Sequence, residues 1–173
     1  MEEVKRLEGE EGERVTKLSV VGYSLGGLVS RYLIGILHQR KFFEKVTPVN
    51  FATVATPHIG LVRFPSFRSK MFAFLGPRLL SRTGEQFYAV DKWSASGRPL
   101  LEVMADPGMS SSVGSLYFAI NPTLERIFWQ ALALFPHACF YANAINDVTV
   151  PYLTAAAETE DPFENYVANG LEM

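Results

Sequence analysis

Cysteine and histidine are scarce in this chain, and one long stretch has no acidic residue; each shortage removes a class of function. A single cysteine, Cys139, in 173 residues rules out an internal disulfide framework. Its apolar neighbours make it a core thiol of a reducing compartment. No Cys/His cluster has metal-ligand spacing. With 16 basic against 18 acidic residues the net charge is −2, too balanced to argue for nucleic acid. Met1–Lys17 is crowded with Glu, Lys and Arg and lacks the apolar core of a secretory leader. Ile127–Asn146 carries no formal charge, long enough to raise a membrane span. Pro136 interrupts it, however, and Gln130, Asn143 and Asn146 are polar, so a helix ending near Pro136 and then a buried strand explain it better. The chain reads as a soluble, cytoplasmic protein.

What is present is a core. Nearly half of the residues are apolar, with 13 Phe and 7 Tyr, enough for one domain over 1–173. The passage that decides its chemistry is Val20-Val21-Gly22-Tyr23-Ser24-Leu25-Gly26-Gly27. A β-branched run ends in Gly-x-Ser-x-Gly and a helix-like pattern follows at once, the form of a strand-to-helix nucleophile elbow. A serine on such a bend has strained backbone angles, and a Cβ at Gly22 or Gly26 is expected to collide with the neighbouring strand or helix. Gly27 lets the helix start close to the strand. The first helical N–H groups, beginning with Leu25, then point at whatever stands over Ser24 and suit a developing oxyanion. Leu25, Val29, Tyr32 or Leu33, and Ile36 recur at helical spacing, and Ile34 and Leu37 widen the stripe toward a helix buried on most sides. The bland alternative is a Gly-rich turn with an idle serine.

The first strand covers about Lys17 to Gly22 and its helix about Leu25 to His38. Val46–Ala55 is uncharged and β-rich and stops at Thr56-Pro57-His58. Ala138–Ile145 is a third such run, ending at Asn146-Asp147. Three apolar strands with polar residues at their carboxyl ends fit an open, mostly parallel α/β sheet with its site at that edge. The intervening stretch, about 61–136, is too long for a plain connection and is expected to form a helical cap. Within it two further helices are expected, near Arg98–Met104 and Pro122–Phe135, with a flexible loop at Gly108–Gly114. Lys45–Gly84 has no acid, and basic and aromatic residues alternate through 61–82. That mixture suits an anionic lipid surface, or equally a cap helix with one face in water.

Serine hydrolysis needs a base and a carboxylate that orients it, in the chain order Ser, Asp or Glu, His. Asp147, just past a buried strand, is the natural acid; its other reading is a turn aspartate. No histidine follows it. His38 ends the elbow helix, and His137 starts the strand that delivers Asp147. His58 sits at the correct sheet edge, where it either lines the site or shapes the loop. No credible base remains, and the short polar lead-in before the elbow strand leaves one of its flanks as an open edge.

Three motifs stand together in order and spacing: VVGYSLGGLVSRYLIG (Val20–Gly35), PVNFATVATPHIG (Pro48–Gly60) and FYANAINDVTVPY (Phe140–Tyr152). The set resembles the eukaryotic serine-esterase, lipase-like family of α/β-hydrolases, particularly its fungal members. Arg98–Leu101 with Ala105–Pro107 also looks family-like, while Tyr23 replaces the histidine often found before the nucleophile. The resemblance implies a partial α/β-hydrolase fold, with helices on both faces of the sheet and a helical cap insertion. It implies Ser24 as nucleophile, Leu25 N–H as oxyanion donor and Asp147 as triad acid, with Tyr23 and His58 as site-lining candidates and the family's histidine beyond Met173. The implied activity is hydrolysis of lipid acyl esters such as monoacylglycerols or phospholipids through an acyl-enzyme, at membranes or lipid droplets and without cofactor. The competing expectation is an inactive lipase-like fragment that binds a lipid surface or a protein partner.

Overall fold

A computed structural model describes residues 14–61, 82–94, 97–106, 122–147 and 149–163, together with Val4 and Arg6. Three strands, β1 (Lys17–Tyr23), β2 (Thr47–Val54) and β3 (His137–Tyr141), pair in parallel in the order β1-β2-β3. Helix α1 (Leu25–Gln39) follows β1 after one residue, and a 3₁₀ turn (Phe42–Glu44) leads into β2. Between β2 and β3 come α2 (Arg82–Phe87), α3 (Leu100–Ala105) and α4 (Pro122–Ala133), and α5 (Tyr152–Ala156) closes the described fold. This is an α/β arrangement. Among the described residues no helix is long and apolar enough to cross a membrane.

Strand alternation sorts the sheet into two unlike faces. Val20 and Gly22 of β1 stand beside Phe51 and Thr53 of β2, and Thr53 beside Phe140 of β3. This face packs under α1 and α4, where Ile34, Phe51, Ala131 and Phe135 are buried and Val20, Phe43 and Phe140 lean on them. Burying each of the larger side chains contributes roughly 1.5–3 kcal/mol. The opposite face carries Val21, Tyr23, Val54, Cys139 and Tyr141. Val21 and Tyr23 are each 73% exposed and Tyr141 58%, so the described helices line one face and leave the other bare. Among the described residues β1 ends the sheet order, with no strand paired on its outer flank.

Cys139 corrects the sequence reading: it is exposed. An apolar run says that a residue sits in a strand but not which face the strand shows to a helix. The third strand also ends at Tyr141 rather than Ile145, and the remaining residues form the loop that carries Asp147.

Helix α1 is not buried on most sides. Its buried residues are Gly27, Leu28, Ser30, Arg31, Ile34 and Gly35, whereas Val29 is 58% and Leu33 47% exposed. Closeness decides this. A Cβ on Gly27 would overlap the Thr56 side chain, and one on Gly35 would overlap the Phe128 ring. The face that comes nearest to its neighbours therefore uses glycine, not the largest apolar residues.

The long β2–β3 connection divides in two. Its last helix, α4, packs on α1 and runs directly into β3, so it is the crossover helix of the sheet itself. The segments around α2 and α3 cover another side of α1, in a second core built on Leu28, Leu61, Phe87, Leu101, Met104 and Phe128. Arg98 clamps α3 at both ends, pairing with Glu102 at 2.9 Å and Asp106 at 2.8 Å. The expected lipid-facing stretch lies outside the described residues apart from its ends, of which Leu61 is buried in this core; the expected loop Gly108–Gly114 lies outside them as well.

Candidate active site at the carboxyl edge of the sheet

The register Tyr23–Val54–Tyr141 brings all three strands to an end at one level. Each then leaves the sheet through a residue or short loop held at positive φ: Ser24 (φ 51°), Ala55 (φ 48°) and Asn146 (φ 61°). Such backbones cost about 1–3 kcal/mol each and persist only where surroundings hold them. At Ser24 the restraints are explicit. Its N–H donates to Val54 O at 2.9 Å, and its carbonyl accepts from Gly27 N–H at 3.0 Å and from Thr56 Oγ1 at 2.9 Å. The bend is thus pinned to β2 and its exit loop from both ends. The hydroxyl does not cap the helix. Leu25, as first helical residue, presents an N–H with no intrahelical acceptor.

The glycines flanking the bend are unequal. A Cβ on Gly22 would come within 2.7 Å of Gly27 N and 2.9 Å of Gly26 O, both backbone atoms, whereas one on Gly26 meets nothing within 4 Å. Crowding therefore explains Gly22 and Gly27 and not Gly26, contrary to the expectation from the motif.

Two strands away on the same edge stands Asp147. With neighbouring strands about 4.8 Å apart, the exits of β1 and β3 are roughly 10 Å apart, with that of β2 between them. Oδ1 of Asp147 accepts from Thr149 N–H and Val150 N–H, both at 2.9 Å, and from Thr149 Oγ1 at 3.0 Å. Oδ2 accepts from Asn143 Nδ2 at 2.6 Å. Partial burial raises its pKa, but these bonds favour the charged form and outweigh burial, so the net shift is down from 3.8. One oxygen is saturated, while the other keeps a lone pair for one more donor. A fixed, ionised carboxylate with one acceptor position open suits the orienting of an imidazole.

None of the chain's three histidines is placed to be that imidazole. His137 opens β3, at the opposite edge of the sheet. His38 lies in the last turn of α1, roughly 20 Å along the helix axis from Ser24. His58 does come to the correct edge but points inward, 1% exposed. Arg31 Nη1 donates to its Nδ1 at 3.3 Å and to its backbone carbonyl at 3.0 Å. Nε2 must then carry the proton and donate to Thr53 Oγ1 at 2.7 Å, and the ring stacks on Phe140 with centroids 4.2 Å apart. Burial, then the Arg31 charge, pushes its pKa down to about 3. His58 is a neutral strut behind the elbow. Tyr23, the other lining candidate, projects onto the bare face of the sheet in register with Val54.

Arg31 was not legible as a site residue. Its guanidinium is buried and reaches across to donate to Met104 O at 2.8 Å, tying α1 to α3 and to the loop after β2. Burial lowers its pKa to about 10. Thr56, in the loop that follows β2, braces the elbow, since its hydroxyl donates to the Ser24 carbonyl.

The His58 arrangement predicts a pH dependence of stability. Unfolded, the ring takes a proton as pH falls below about 6.5; folded, it stays neutral to about 3. Between these values the unfolded state binds more protons, so stability is lost as pH falls, at a slope approaching 1.4 kcal/mol per pH unit. Asp147, whose folded pKa is depressed, adds its own loss only below 3.8. Urea unfolding at pH 6.5, 5.5 and 4.5 is expected to show the slope in the native chain and a flatter profile in His58→Gln. Equal slopes would mean that the ring is not held neutral.

A protein-family model described as "Putative serine esterase (DUF676)" matches residues 1–159. The chain belongs to that family. Among curated relatives of this serine esterase family member, "Putative lipase C4A8.10" of Schizosaccharomyces pombe is 32% identical over 150 residues, covering 84% of this chain and 17% of the relative. "Putative lipase ROG1" of Saccharomyces cerevisiae is 32% identical over 146 residues, covering 83% and 18% respectively. A second protein of that yeast, "Putative lipase YDL109C", is 28% identical over the same length, covering 83% and 19%. The esterase-family chain thus spans less than a fifth of the length of these relatives. No solved structure matches it.

Proposed function

We propose that this chain carries the nucleophile and the acid of a serine carboxylic-ester hydrolase acting on lipid esters. Ser24 Oγ attacks the acyl carbon and the carbonyl oxygen becomes an oxyanion that accepts from Leu25 N–H. The alcohol leaves, and water then hydrolyses the acyl-enzyme. The Oγ proton passes to an imidazole supplied from outside residues 1–173 and held by Asp147 Oδ2. The chemistry needs neither cofactor nor metal. The observation that carries this reading is the pinned bend at Ser24, with the Asp147 loop leaving the same sheet edge two strands away. The lipid character of the substrate is drawn from the names of the fungal relatives.

A test that needs no base uses Ser24→Cys, because a thiol is a few per cent ionised at pH 7 and intrinsically nucleophilic. In a Cys139→Ser background, p-nitrophenyl octanoate is expected to leave one acyl group on the introduced thiol, found by peptide mass. Acylation should run at least about tenfold faster than at exposed Cys139 of the unsubstituted chain, since each oxyanion donor contributes about 10²-fold or more. Equal rates at the two positions would reject the elbow as an acyl-transfer site.

A further inference from the structure

A cavity of about 540 Å³ lies between α1 and the segments around α2 and α3, within the roughly 300–1,000 Å³ of small-molecule sites. Its lining mixes two chemistries. Tyr32, Phe87 and Trp93 supply ring surface, and Tyr32 meets Trp93 edge-on with centroids 6.5 Å apart. Glu85, Asp91 and Lys92 supply charge, two carboxylates against one ammonium. The described lining is therefore net negative and disfavours an anion. Rings beside acids favour a cation, because a ring face attracts positive charge within about 6 Å of its centre.

Asp91 carries the argument further. Its Oδ2 accepts from Leu100 N–H at 3.0 Å, at the start of α3. That structural bond needs one acceptor, which a neutral asparagine or serine would supply. Oδ1 is left over: it is buried and has no donor among the described residues. Lys92, its neighbour in sequence, makes no ion pair with it. An unpartnered buried carboxylate oxygen destabilises the fold, and a bound donor relieves that cost. The donor that Oδ1 lacks has to come from the cavity that Asp91 lines.

We infer that this cavity binds a primary organic ammonium ion: the nitrogen donates to the Asp91 carboxylate near Glu85, and the apolar body lies among Leu28, Tyr32, Trp93 and Met104. The ammonium is primary because the vacant partner of Oδ1 must be an N–H, which a quaternary nitrogen does not have. The site stands whether or not Ser24 is a nucleophile.

The probe is 2-phenylethylamine, compared with 2-phenylethanol and with the N,N,N-trimethylated amine. Trp93 is one of two tryptophans, so in a Trp129→Phe background its fluorescence reports the cavity while calorimetry gives the affinity. Saturable binding of the amine with a change at Trp93 is expected. The alcohol and the trimethylated amine should each bind about tenfold more weakly or worse, since each loses the charge-assisted hydrogen bond. Asp91→Asn keeps an acceptor for Leu100 N–H and should weaken the amine by about tenfold or more. Glu85→Gln, at an exposed position, should cost roughly twofold. Lys92→Met removes a competing cation and should tighten binding. Absent saturation overturns the inference, as does equal affinity for the alcohol or the trimethylated amine. An affinity unchanged by Asp91→Asn places the amine elsewhere and overturns it too. If Asp91→Asn does not fold, the order of the three ligands on the unsubstituted chain decides.

Discussion

Residues 1–173 on their own are expected to hydrolyse p-nitrophenyl butyrate about 10⁶-fold more slowly than a serine esterase with a complete triad, because losing the base alone removes a factor of that order. The reason lies in where the three histidines sit. The ring nitrogens of His58 are both engaged and its pKa is pushed to about 3, so at neutral pH it neither takes a proton nor turns toward solvent. His38 and His137 stand at the far ends of α1 and β3. The residue of catalysis that remains is oxyanion stabilisation at Leu25, worth about 10²–10³ where single donors have been removed from other hydrolases. Initial rates, with labelling by a fluorophosphonate followed by intact mass, measure this directly. Rapid stoichiometric labelling lost in Ser24→Ala would show a base at work within the chain. Loss of that labelling in His58→Gln would name it and overturn the strut assigned to His58.

The second large effect separates the two glycines of the Gly-x-Ser-x-Gly pattern from each other, with the adjoining Gly27 as a third case. Gly22→Ala drives a Cβ into the backbone of Gly26 and Gly27, where no side chain can swing aside. A cost of about 3 kcal/mol or more is expected for such overpacking, which lowers Tm by roughly 10 °C in a chain of this size. Gly27→Ala strikes the buried Thr56 side chain, whose Cβ lies 2.8 Å away and whose hydroxyl holds the Ser24 carbonyl. Its cost should be comparable, with a fall in acylation of the Ser24→Cys thiol as the brace is displaced. Gly26→Ala meets open space in the first turn of α1, and replacing glycine in a helix gains up to about 1 kcal/mol. Thermal melts of the three variants check the order. A Gly26→Ala protein destabilised as much as Gly22→Ala would mean that the elbow is packed differently.

Much of the site was legible from residue order. The β-branched run, the glycines and the helical pattern located the bend at Ser24. The run ending at Asn146-Asp147 located the loop that carries Asp147 at the sheet's carboxyl edge, since apolar segments of strand length with polar ends have few alternatives in a parallel sheet. The side of each element that faces inward was less legible. The spacing of Leu25, Val29 and Tyr32 reads as core, yet Leu25 and Val29 are exposed, and the helix buries Gly27, Ser30, Arg31 and Gly35 beside Leu28 and Ile34. Hydrophobic spacing reports that a helix is amphipathic, but where two backbones come close, steric room outweighs apolar area. Likewise Cys139 looked like core because its neighbours are apolar, although only one sheet face is covered by the described helices.

Sequence alone determined the local devices: a bend crowded at Gly22 on its strand side, a helix that starts on it, and a carboxylate that binds its own following amides in a tight turn. These depend on neighbours within a few positions, so composition and order suffice to specify them. Tertiary structure decided which of these devices meet. The strand order that sets Ser24 and Asp147 on one edge, the inward turn of His58 onto Arg31 and Thr53, and the reach of Arg31 to Met104 all join residues far apart in the chain. Such contacts are selected by packing of the whole core, which no local pattern encodes.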